Sequence, residues 1–180
     1  MTGSAPVSTG RPAPGVGFPR SEVIAVEWED PAGPLDLFST AAAIGSWVWV
    51  ERRLHVLLGG WATRAGAPVF VTTFDRVAMR HAWRAEVLVD RLPVLRELPR
   101  ERLVRRPGSD VDVELVSQDA RGDVRALVAG WTAVATRLLT RYGLHLERTT
   151  PVADAPLRRW LPMVITSLDE DVAAMAALGG

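Results

Sequence analysis

The sequence predicts an all-α fold built mainly from four long helices. Apolar residues recur every three or four positions along four long segments, which is the spacing of one helix face. The links within the first and the last pair of segments are short, whereas residues 96–122 form a long connection between the pairs. Apolar residues make up 48% of the 180 positions, enough for the core of one domain. We therefore expect one helical domain over residues 34–180, preceded by a flexible or extended segment at 1–33.

The first predicted helix covers residues 35–64 and ends where Gly66, Ala67 and Pro68 interrupt the pattern. Asp36 falls in its first turn, where a carboxylate interacts favourably with the helix dipole. Ionisable side chains enter its otherwise apolar stripe, which is formed by Leu37, Ala41, Ile44, Val48, Glu51, His55, Leu58 and Ala62.

The second predicted helix covers residues 70–92, with Thr72 or Thr73 as its cap and Pro93 limiting its end. A histidine also enters this stripe, and an arginine follows it three residues later on nearly the same face. The stripe consists of Phe74, Val77, His81, Arg84 or Ala85, Leu88 and Leu92.

The third and fourth predicted helices cover residues 119–147 and 153–178. Ser117 or Asp119 is the expected cap of the third helix, and Gly143 is expected to end its well-formed part. In the fourth helix, Pro162 is expected to produce a kink.

Composition excludes several kinds of chemistry. All 21 basic residues are arginine, so a Schiff-base lysine is excluded, and the absence of cysteine excludes disulfides and thiolate metal sites. The formal net charge is zero, which gives no general attraction to nucleic acid or to a membrane surface. No apolar stretch is long enough to span a bilayer, and the first residues do not read as a signal peptide, so we expect a cytoplasmic protein.

A polar cluster is predicted between the first two helices. Glu51 lies about fifteen residues before their link and His81 about fourteen after it, so at ~1.5 Å per residue they lie at one level. We expect Glu51, His81 and Arg84 to meet there, either as catalytic acid–base groups or as a structural ion bridge.

Three further side chains are candidates for ligand contacts. His55 lies four residues after Glu51 on the same face, Glu86 lies near Arg84, and Trp47 is suited to an aromatic-lined pocket or a dimer interface. If a metal binds at all, Glu51, His55 and His81 are its expected ligands.

Other charged residues fit solvated surfaces better than sites. The acidic run of Asp169, Glu170 and Asp171 is typical of an exposed face, although Asp171 is nearest the inner side. His145 is expected at a frayed helix end. The arginines of the long connection alternate with acids, which favours an ion-paired surface over a nucleic-acid site.

The stretch Glu86-Val-Leu-Val-Asp90-Arg91-Leu92 resembles the Glu-x-x-x-Asp-Arg-Leu tail of the second helix in ferritin-like proteins around the bacterial tRNA hydroxylases. This resemblance implies an antiparallel four-helix bundle with a long crossover between the second and third helices. It also implies a di-iron ligand set, yet the chain contains no Glu-x-x-His motif. In that register His81 replaces the bridging acid and Arg84 replaces the histidine ligand, while Glu51 matches.

The resemblance and its departures lead to two alternative functions. The first is a metal-free ferritin-like protein, without cofactor, that acts as a small-molecule-binding or scaffold module and forms a homodimer. The alternative is an enzyme, either hydroxylase- or oxygenase-like with iron or an acid–base catalyst, that uses the polar cluster between the first two helices.

Overall fold

The computed structural model describes residues 35–94, 99–107, 123–152 and 154–179, and all its regular structure in these ranges is helical. The all-α class is therefore confirmed. The predicted segment 1–33 and most of the connection 96–122 lie outside the described residues. Among the helices described, none is both long and apolar enough to cross a membrane. The helices are α1 (Leu37–Ala62), α2 (Pro68–Val89), α3 (Arg100–Leu103), α4 (Val124–Arg148) and α5 (Ala155–Gly179).

Aspartate caps begin two of the long helices. The Asp36 carboxylate accepts a hydrogen bond of 2.6 Å from the backbone N–H of Ser39 at the start of α1. That hydrogen bond also lowers the pKa of Asp36. At the start of α4, Asp123 accepts from the Arg125 N–H at 2.9 Å. Each cap satisfies one of the backbone donors that have no partner within the first turn.

The second helix differs from its prediction at both ends. It begins at Pro68, because proline needs no N–H partner at the first helical position and has a helical φ angle. No side chain caps it, and the Thr72 hydroxyl instead donates to the Pro68 carbonyl one turn back. It ends at Val89, followed by Asp90 as its C-cap, three residues before the predicted end.

The second helical pair also requires corrections. The third long helix begins at Val124 with Asp123 as its cap, instead of at 119 with a cap at Ser117 or Asp119. Gly143 does not end it, because the helix continues to Arg148. Pro162 lies inside α5, which continues on both sides of the ring, and the kink there stays a prediction. The short helix α3 was not predicted.

The long helices pack as antiparallel neighbours. Helix α1 contacts α2, α2 contacts α5, and α4 contacts α5. His81 meets Glu51 whereas Ala78 meets His55, so residue numbers rise along one helix as they fall along the other. Arg80 with Asp171 and Arg84 with Ser167 show the same relation between α2 and α5. One core results, and its buried apolar side chains come from all four long helices.

Helix α3 lies against α1 at a glycine. A Cβ atom at Gly45 would overlap the backbone carbonyl of Leu103, so the backbones approach more closely than any other residue allows. Leu103 is itself buried in the core beside this contact. Gly45 therefore sets the place where the described part of the connection returns to the long helices.

Candidate functional site

Glu51, at the middle of α1, is fully buried and is the centre of a polar cluster. Its Oε1 atom accepts from the Tyr142 hydroxyl of α4 at 2.7 Å. Its Oε2 atom accepts from two groups of α2, His81 Nδ1 at 2.5 Å and Arg84 Nε at 3.2 Å. Burial alone would raise the pKa of Glu51, but the Arg84 charge and the hydrogen bonds outweigh it and lower the pKa to about 2. Glu51 is thus an ionised carboxylate in the core.

The hydrogen bonds of His81 identify its tautomer. The Trp131 indole N–H lies 2.9 Å from His81 Nε2, and because an indole nitrogen only donates, Nε2 must accept. Nδ1 therefore carries the hydrogen and donates it to Glu51. Burial lowers the pKa of His81 below its usual 6.5, which agrees with a neutral ring. The Arg84 Nη2 atom lies 3.0 Å from Nδ1, but two donors face each other there, so this approach is not a hydrogen bond.

Arg84 links carboxylates that belong to two helices. Its Nε atom donates to Glu51 of α1, and its Nη1 atom donates to Asp171 of α5 at 2.8 Å and to the Ser167 hydroxyl at 2.9 Å. Burial alone would lower the pKa of Arg84, but Glu51 and Asp171 raise it above its usual value. The guanidinium therefore remains charged and joins α1, α2 and α5.

Asp171 extends the cluster toward the surface. Its second oxygen accepts from Arg80 Nη1 at 3.0 Å, and the same Arg80 atom donates to Glu170 at 2.9 Å. The Asp171 side chain is fully buried, whereas that of Arg80 is 36% exposed. In the fully buried part of the cluster, the Arg84 guanidinium faces the carboxylates of Glu51 and Asp171, which leaves one excess negative charge. Arg80, at the edge of the cluster, compensates that charge. The acidic run was expected on a solvated face with Asp171 nearest the inner side; Asp169 and Glu170 are exposed, whereas Asp171 is buried.

The cluster leaves no carboxylate or imidazole acceptor free for a substrate. Both Glu51 oxygens and both His81 nitrogens are engaged, and burial with the adjacent Glu51 charge raises the pKa of Tyr142 well above 10, so its hydroxyl donates. Apart from Arg84 Nη2, which faces another donor, Arg91 Nε is the only buried side-chain nitrogen or oxygen without a partner in the described ranges. Nor do these ranges contain a group of three His, Cys, Asp or Glu side chains able to hold a metal.

The other predicted ligand contacts make no hydrogen bond to this cluster. His55 places Nδ1 2.9 Å from the Ala78 carbonyl, which only accepts, so His55 donates to the α2 backbone. It therefore does not join Glu51 and His81 as a third metal ligand. Glu86 lies on the exposed face of α2. Trp47 is buried, with its ring edge-on to Tyr142 and His145 at centroid distances of 5.0 Å.

Four members of the cluster were not identified as site residues from the sequence: Trp131, Tyr142, Ser167 and Asp171. Trp131 and Tyr142 occur on the apolar stripe of α4. Only the polar atom of each ring, the indole N–H and the phenol hydroxyl, indicates that the side chain needs a hydrogen-bond partner in the core. Asp171 occurs at the inward spacing of α5, and that position outweighs the exposed character of the acids before it. His145 is likewise buried, 3.1 Å from Asp154, instead of lying at a frayed end.

Comparison with family models, with curated proteins and with solved structures finds no match to this chain. The function is therefore inferred from the geometry of the cluster and from the surfaces around it.

Proposed function

We propose that this chain is a metal-free ferritin-like protein that acts as a binding or scaffold module. The observation that carries the proposal is the Arg84 guanidinium placed between Glu51 and Asp171. In a di-iron bundle, metal cations join carboxylates from different helices. Here an arginine side chain joins them, and the antiparallel contacts of the four long helices support the same bundle arrangement.

The donor set does not fit the iron that a ferritin-like bundle implies. A fixed positive charge at the centre of the cluster repels cations, and neutral His81 already uses both nitrogens. Acid–base catalysis fits equally poorly, because a general base needs a free lone pair within reach of its substrate. The alternative enzyme function would require one of these buried contacts to open.

A groove between α2 and α5 supports self-association as the scaffold role. It has a volume of about 580 Å³ and includes the apolar side chains Trp83 and Met163, which are 38% and 51% exposed. Arg80 and Glu170 at the same groove carry opposite charges. A two-fold axis at this groove would set its apolar side chains against those of the second copy, with the Arg80–Glu170 ion pair at the rim. We therefore assign this groove to a homodimer.

Metal analysis tests the central claim. We expect protein purified without chelators from cells grown with added iron, zinc and manganese to hold less than about 0.1 metal ion per chain. Incubation with ferrous iron in air should produce no oxo-bridged absorption band. One or two metal ions per chain, retained through gel filtration, would overturn the proposal.

A further inference from the structure

Two side chains that line the α2–α5 groove also make hydrogen bonds to the buried cluster. Arg80 lines the groove and donates from Nη1 to Asp171 at 3.0 Å. Ser167 lines the groove as well, and its hydroxyl accepts from Arg84 Nη1 at 2.9 Å. The wall of the groove and the edge of the cluster are therefore formed by the same side chains.

Arg80 is the cation of this network that is in contact with water. Its side chain is 36% exposed, whereas those of Asp171, Glu51 and Arg84 are fully buried. The three buried groups have one excess negative charge, because one guanidinium faces two carboxylates. That charge attracts the Arg80 guanidinium, and the water around its exposed part weakens the attraction.

A second copy bound at the groove reduces the water around Arg80. Loss of water is unfavourable for the guanidinium itself, but it strengthens the attraction between Arg80 and the excess negative charge beneath it. The free energy of dimerisation therefore depends on the charge of the cluster. Because such a linkage is reciprocal, dimerisation stabilises the charged form of the cluster by the same factor.

We propose that self-association at the α2–α5 groove is coupled to the buried cluster through Arg80, and that the dimer is tightest while the cluster keeps its excess negative charge. This inference rests on the homodimer proposed above and adds a means of regulating it. Glu51 has no exposed surface and does not line the groove, yet its charge contributes to the contact between two copies.

The dimer dissociation constant of Glu51→Gln tests the coupling. The amide keeps the size of the side chain but removes the excess charge, so that the loss of water from Arg80 is no longer offset. We expect the Kd, measured by sedimentation equilibrium of the full chain at neutral pH, to rise at least about threefold. Glu147→Gln makes the same chemical change on the exposed face of α4, outside the groove, and should leave the Kd within about 1.5-fold.

A double-mutant cycle with Arg80→Met shows whether the effect passes through Arg80. In the Arg80→Met background, Glu51→Gln should change the Kd by less than about 1.5-fold, because the cation that senses the buried charge is absent. Asp171→Asn removes the same excess charge and should give the same pair of results. It replaces Glu51→Gln in the cycle if that variant does not fold.

The possible outcomes separate this coupling from the homodimer itself. A monomeric parent chain overturns both. The coupling alone is overturned if the parent is a dimer whose Kd is the same in Glu51→Gln, or if that substitution raises the Kd equally with and without Arg80.

Discussion

Arg84 is the residue on which two buried carboxylates depend. Replacing it by leucine leaves Glu51 and Asp171 in the core without their shared cation. Because removing one partner of a buried ion pair leaves an uncompensated charge, we expect Arg84→Leu to lower the free energy of unfolding by about 3–5 kcal/mol. Urea unfolding followed by circular dichroism measures this change.

The matched control for Arg84 is the exposed Arg76 on the same helix, and Arg76→Leu should change the free energy of unfolding by less than about 0.5 kcal/mol. If both variants unfold at the same urea concentration, the cluster does not contribute to stability as described.

The buried charges also predict that the stability of the fold decreases on acidification. The pKa of Glu51 falls from 4.5 to about 2 on folding, so its contribution is complete above pH 4.5 and is lost as the pH falls toward 2. The pKa of His81 is also lowered in the folded state, from the 6.5 expected of the unfolded chain. Below pH 6.5 the unfolded chain therefore binds a proton that the folded protein does not, and the free energy of unfolding falls. The melting temperature should therefore decline in two stages on acidification, with about 3 kcal/mol from Glu51.

His81→Gln separates the two stages of this decline. The variant has no group that titrates near neutrality at this position, so its melting temperature should change less than that of the parent between pH 7 and pH 5.5, although it starts from a lower value. If the melting temperature of the parent rose as the pH was lowered from 7 to 5.5, this result would contradict the neutral, buried state of His81.

Reasoning from sequence reaches the pair at the centre of the cluster but not the whole network. The similar distances of Glu51 and His81 from the link between α1 and α2 place them at one level, and the structure joins them. Asp171 could not be assigned in the same way, because its neighbour α2 is brought close only by the packing of the two helical pairs. Contacts between helices distant in sequence depend on that packing, which helical periodicity does not specify.

At the scale of the elements, Gly45 makes the close contact between α1 and α3 possible. Adding a methyl group there displaces the Leu103 backbone, so we expect Gly45→Ala to lower the free energy of unfolding by about 1–3 kcal/mol. The same substitution at Gly59 meets no atom within 4 Å and removes a flexible residue from the same helix. Gly59→Ala should therefore raise stability by about 0.5–1 kcal/mol.

Thermal unfolding of the two glycine variants beside the parent measures both effects in one experiment. Stabilisation by both substitutions would show that α3 does not lie against α1 in solution.

The ends of the helices show which local signals are reliable. The Asp36 carboxylate begins α1 within two residues of the predicted start, because capping is a local interaction. Pro68 was interpreted as a helix breaker although it is the first residue of α2, since proline interrupts the interior of a helix and favours its start. Gly143 did not end α4, because the buried side chains of Tyr142 and His145 on either side of it outweigh the local preference for a break.

At the scale of the whole molecule, the α2–α5 groove predicts the oligomeric state. A carboxylate at Met163 would lie in the proposed apolar interface, so Met163→Glu should convert a dimer into a monomer, as measured by light scattering after gel filtration. Val56→Glu, at a position of α1 that is 60% exposed, should leave the dimer intact. A monomeric parent protein, or a dimer that persists in Met163→Glu, would contradict the assignment.

The hydrogen bond from Trp131 to His81 makes the cluster observable in solution. The indole N–H proton of Trp131 has a resonance of its own in NMR spectra, and its chemical shift depends on whether Nε2 of His81 accepts it. Protonation of His81, loss of Glu51 or separation of α2 from α4 would each change that one signal and its exchange with water. A single nucleus therefore reports the integrity of the buried network, and selective labelling of tryptophan allows it to be followed during titration or heating.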